Sequence, residues 1–66
     1  MVDTAKLRGR IAECGLSQSE VAVRIGIAPR TFYEKMKRGV FGTDEAMKMT
    51  ELLNISDPAA IFLAKR

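Results

Sequence analysis

The segment from Arg30 to Arg38, RTFYEKMKR, holds four basic side chains, Arg30, Lys35, Lys37 and Arg38, against one acid, Glu34. Over the whole chain the imbalance is mild, eleven Lys and Arg against eight Asp and Glu, for a formal charge of +3. The positive charge is therefore local, and local basic density on one element is the footprint expected where a protein meets nucleic-acid phosphates. A solvated helix face would carry the same residues, and charge alone does not separate the two. Other chemistries find no raw material. With no His and a single cysteine, Cys14, the sequence offers no internal disulfide, zinc site or nucleophile–base pair, and no Gly-rich loop is present to cradle a phosphate. We therefore expect no enzyme activity, no cofactor, no metal and no small-molecule ligand. Cys14 falls on an apolar helical stripe and is expected in the core, since a reactive thiol needs an exposed, electropositive setting.

The elements that must position the basic segment are legible from their punctuation. Leu7, Ile11 and Cys14 recur at helical spacing behind a cap from Asp3 or Thr4, and Gly15 ends that helix. Ser17 followed by Glu20 makes a capping box for a second helix that buries Val21, Ala22 and Ile25 and stops at Gly26. Pro29 fits the first turn of a third helix, where its missing N–H costs nothing, with Phe32 and Met36 facing inward and Gly39 as the stop. A fourth helix is expected after a Thr43 cap, with Asp44 and Glu45 in its first turn and Ala46, Met49 and Leu53 on its inner face. Ser56, Asp57 and Pro58 predict a short fifth. Phe41, in the third connection, is expected to turn into the core, and the Met47 and Met49 pair to serve packing. The reading is all-α, with five helices.

Sixty-six residues, 47% hydrophobic and 29% charged, suit one small domain, residues 1–66, with a single modest core. No apolar run approaches the roughly 20 residues that span a bilayer, and the opening MVDTAKLRGR lacks the apolar stretch of a secretory signal. No membrane partner is expected, and the default compartment is cytoplasmic.

Residues 18–38 thus comprise two short helices joined by the connection GIAP. Gly26 permits the left-handed backbone of a sharp reversal, Ala22 is small where the helices must approach, and Ile27 can plug the angle between them. Those are the requirements of a helix-turn-helix. The stretch LSQSEVAVRIGIAPRTFYEKMKRG resembles the helix-turn-helix of Cro/C1-type (XRE-family) regulators of bacteria and their phages. Gln18, Val21, Ala22, Gly26 and Ile27 match that family's pattern in register, and KLRGRIAECG and FGTDEAMKMTELLNI resemble its flanking helices. The resemblance implies a compact five-helix, lambda-repressor-like DNA-binding domain. It implies a sequence-specific transcriptional regulator, a phage or prophage-type repressor, that binds double-stranded DNA as a homodimer on an inverted repeat. Two departures stand out. Ala28 replaces the Ser or Thr that commonly precedes the family's recognition helix, and Glu34 lies on a turn that should face DNA.

Arg30, at the exposed start of the third helix, is the strongest candidate for reading a base, because Arg pairs bidentately with guanine O6 and N7. A phosphate contact is the alternative. Thr31 and Tyr33 could reach base or phosphate, although Tyr33 could equally lie against the core. Glu34 either pairs with Arg38 at i, i+4 or accepts from cytosine N4. Gln18 resembles the family residue that holds the DNA backbone, and Lys35, Lys37 and Arg38 are candidate phosphate contacts, with Arg8 and Arg10 possible additions from the first helix. The competing function is a protein-interaction module, antirepressor or antitoxin-like, that uses the same fold without DNA. In the tail ISDPAAIFLAKR, Ile61, Phe62 and Leu63 are consecutive, so a helix cannot bury all three, and the surplus is expected to serve a second copy.

Overall fold

Helix starts and stops fall where the punctuation places them, except that α4 begins one residue early. The computed structural model describes residues 1–64: α1 spans Thr4–Glu13, α2 Gln18–Arg24, α3 Pro29–Arg38, α4 Thr43–Leu52 and α5 Pro58–Phe62. No strand occurs among the described residues. Asp3 caps α1 by accepting the Lys6 N–H at 3.1 Å. At α2 the Ser17 hydroxyl accepts the Glu20 N–H at 3.1 Å while the Glu20 carboxylate accepts the Ser17 N–H at 2.9 Å, a complete capping box. Hydrogen bonding to the Glu20 carboxylate from the Ser17 backbone N–H, then from the Ser17 side chain, outweighs desolvation and holds that carboxyl below its ordinary value.

Two caps differ from expectation. Thr43 is already inside α4, whose N-cap is Gly42, and no side chain caps the helix from in front. Glu45 does the work from within the first turn, accepting the Gly42 N–H at 2.8 Å. Asp57 occupies the N-cap of α5 without a side-chain bond, so Pro58 alone presets that start.

The core draws on every helix. Leu7 and Ile11 of α1, Val21 and Ala22 of α2, Phe32 and Met36 of α3, Met49 of α4 and Ile61 of α5 are buried, with Val2, Ile25 and Leu53 from the segments between and before them. Ala46 and Cys14 are only half-buried. The Cys14 thiol lies at the core's edge and donates to the Leu53 carbonyl at 3.6 Å. Phe41 turns inward as expected and meets Phe32 with ring centroids 5.2 Å apart and planes tilted by 53°, a favourable aromatic geometry. Tying the ends together, the Val2 N–H donates to the Gly39 carbonyl at 3.0 Å and the Asp3 N–H to that of Ile61 at 2.6 Å. The radius of gyration, 10.5 Å, is close to the roughly 11 Å of a compact chain of this length. Among the described residues no helix is long and apolar enough to cross a membrane.

Candidate nucleic-acid interface

The turn between α2 and α3 determines how α3 is presented. Gly26 has φ +85°; its N–H donates to the Val23 carbonyl at 3.1 Å, and the Ile27 N–H to that of Ala22 at 3.0 Å. This double closure is a Schellman motif, which satisfies the last carbonyls of α2 and reverses the chain within a few residues. A Cβ built on Gly26 would meet nothing within 4 Å, so the glycine is required by backbone conformation and not by crowding. Ala22 is fully buried at the base of the turn and Ile27 is packed against the core. Ala28 then precedes α3 with no side-chain cap, and Pro29 opens it.

α3 has a core side, two flanks and an outer side. Phe32 and Met36 are the core side. On the flank toward α2, Tyr33 OH lies 2.8 Å from Ser19 Oγ. On the flank toward α4, Lys35 Nζ donates to Glu45 Oε1 and Oε2 at 2.8 and 2.6 Å. Burial would raise the Glu45 carboxyl, and is the largest single influence on it. The hydrogen bonds from Lys35 and the Gly42 N–H, with the charges of Lys35 and Lys48, together outweigh burial and leave the carboxyl below its ordinary value. The outer side carries Arg30, Glu34, Lys37 and Arg38, all exposed, with Thr31 half-buried beside them.

This arrangement sorts the candidate residues. Arg30, Lys37 and Arg38 stand together on the outer side. Gln18 is half-buried at the start of α2, next to Ser19. Lys35 is paired with Glu45 and links α3 to α4, so its charge is already compensated within the protein. Arg10 lies elsewhere: its Nε donates to the Leu53 carbonyl at 2.8 Å and its Nη2 to that of Asn54 at 3.4 Å, while Nη1 meets Glu13 at 3.2 Å. It closes the C-terminal end of α4, where Asn54 holds φ +50°. Glu34 and Arg38 are not paired; among the described residues the ion pairs are Arg10–Glu13 and Lys35–Glu45. Tyr33 is 48% exposed, so it does not lie against the core, and its hydroxyl is engaged by Ser19.

Sequence reasoning missed Ser19 and Glu45 as partners of this helix. Neither has a local signal, since Ser19 and Tyr33 are 14 residues apart and Lys35 and Glu45 ten, across turns whose angle only the packing sets. Comparison of the chain with protein-family models, with curated proteins and with solved structures gives no match.

A second surface feature lies between α4 and α5. A groove of about 580 Å³ is bordered by Phe41, Ala46, Met47, Pro58, Phe62 and Leu63, among others. Of the three consecutive apolar residues of the tail, Ile61 is buried, Phe62 half-buried and Leu63 72% exposed. The tail's last two residues, Lys65 and Arg66, lie outside the described residues.

Proposed function

We propose that this chain is a sequence-specific, double-stranded DNA-binding transcriptional regulator, a repressor of phage or prophage type, with a lambda-repressor-like helix-turn-helix in which α3 is the recognition helix. The observation that carries this reading is α3 itself: a short helix set off by a tight glycine turn, braced on both flanks, with Arg30, Lys37 and Arg38 exposed along its outer side. In this reading α3 enters the major groove, Arg30 and Thr31 near its start meet base edges, and Lys37 and Arg38 near its end meet phosphates. Glu34, which makes no ion pair with Arg38, accepts from cytosine N4 in the same reading. Gln18 holds the backbone from α2. Lys35 and Arg10 drop out of the contact set because each already serves an internal partner.

One module of this size covers about 600–1,000 Å² on DNA, and specific affinity comes from two half-sites about one helical turn apart. The functional unit is therefore a homodimer on an inverted repeat, with the exposed Leu63 and the adjoining apolar groove as the contact surface. Selection of bound sequences from a random duplex library, followed by a salt-titrated gel shift on the selected and on unrelated DNA, tests the proposal. Enrichment of an inverted repeat and affinity that falls steeply with salt are expected. No binding to duplex DNA at low salt would overturn it in favour of the protein-interaction module.

A further inference from the structure

The two hydroxyls joined between α2 and α3 can be counted. Ser19 Oγ and Tyr33 OH carry one O–H each, and their mutual bond at 2.8 Å uses one of the two. The second O–H has no acceptor among the described residues. Ser19 is the second residue of α2, ahead of any helical carbonyl four residues back, so it lacks the internal acceptor that Thr50 finds in the Ala46 carbonyl at 2.8 Å. Either oxygen could donate in this contact; a phenol is the better donor and an aliphatic hydroxyl the better acceptor, so the direction from Tyr33 O–H to Ser19 is the favoured one, and it leaves the Ser19 O–H free to donate elsewhere. Accepting that bond polarises Ser19 and strengthens its own donation.

The pair also sits beside the charge. Tyr33 borders the outer side of α3, with Arg30 three residues before it and Lys37 four residues after it, and all three are exposed. The α2–α3 packing does not depend on the hydroxyls, because Val21, Ala22, Phe32 and Met36 are buried between and beneath the helices. A solvent-exposed O–H···O bond adds little to such a core.

We infer that Ser19 is a phosphate-binding residue, a neutral donor to a phosphodiester oxygen of the DNA backbone, and that Tyr33 is its positioning residue and not a reader of bases. This rests on the proposed DNA binding. Being uncharged, the contact displaces no counterion, so it adds affinity without adding to the salt dependence. It differs there from Lys37.

The test is duplex binding across a salt series by the intact protein and by Ser19→Ala, Tyr33→Phe and the double variant, with melting temperatures in parallel. Ser19→Ala should weaken binding to operator and to unrelated duplex alike, by about threefold to tenfold, with the salt slope unchanged. Tyr33→Phe should lose less, again equally on both DNAs, and should have no further effect once Ser19 is Ala. All four proteins should melt together. Loss confined to the operator in Tyr33→Phe would make Tyr33 a base reader, and additive losses would make the hydroxyls independent; either overturns the inference. So would unchanged affinity in Ser19→Ala, leaving DNA binding itself intact. Failure of the unaltered protein to bind any duplex would instead remove the functional reading and this inference with it.

Discussion

At the scale of single residues, reading and holding should separate. Arg30→Ala removes a proposed bidentate base contact, which should cost about 1–3 kcal/mol on the selected operator and much less on unrelated DNA. Lys37→Ala removes a proposed phosphate contact, so binding should weaken on all sequences by similar factors and the salt slope should become shallower by roughly one unit per protomer. Equal loss on both DNAs for Arg30→Ala would reduce Arg30 to a phosphate clamp. Lys35 should behave differently from both. Its partner Glu45 is mostly shielded, with a side chain 14% exposed against 34% for Lys35, so Lys35→Ala should lower stability, by about 1 kcal/mol or less given the solvent screening of the pair. Because the folded Glu45 carboxyl lies below its ordinary value, its contribution is present above the unfolded value of about 4.3. It is lost as pH falls through the lower folded value. Thermal melts between pH 6 and pH 3 should show that fall, and Glu45→Gln should flatten it; an identical pH profile in the variant would assign the acid sensitivity to other carboxylates.

At the scale of elements, the connection between α2 and α3 is the sensitive point. Gly26→Ala places a Cβ in open space but forces an L residue to φ +85°, so the penalty is conformational, on the order of 1 kcal/mol, and larger for a β-branched residue. Chemical denaturation measures it directly. An unchanged midpoint would mean that the turn relaxes to another conformation, and the Schellman bonds from Gly26 and Ile27 would then be dispensable. The packing of α3 acts at the same scale: burial of Phe32 and Met36 sets its rotation, which leaves Arg30 and Lys37 outward, with the Lys35–Glu45 pair on the flank toward α4.

For the whole molecule, the exposed tail gives the prediction. Leu63 projects beside the groove between α4 and α5, and if a second copy covers it, Leu63→Glu should convert a dimer to monomer without lowering the melting temperature of the isolated fold. Sedimentation equilibrium over a concentration range reads the first effect, and binding to one versus two half-sites reads its consequence. Strictly monomeric behaviour of the unaltered protein at all concentrations, with operators lacking an inverted repeat, would remove the dimer from the proposal.

Helix number, type and most boundaries were determined by the sequence itself, because the deciding interactions are local: the Ser17–Glu20 box, Pro29 at a first turn, glycines after last turns, and apolar residues repeating every three to four positions. So were the inward residues Leu7, Ile11, Val21, Ala22, Phe32, Met36 and Met49, which periodicity alone places on one face. The assignment of the cations was not local. Arg10, Lys35 and Lys37 look equivalent in the chain, yet Arg10 is bound to the end of α4, Lys35 to Glu45, and Lys37 to neither. Which charge points outward depends on which element packs against which flank. That is set by the angle at Gly26 and by burial of the shared core, and tertiary structure alone decides it.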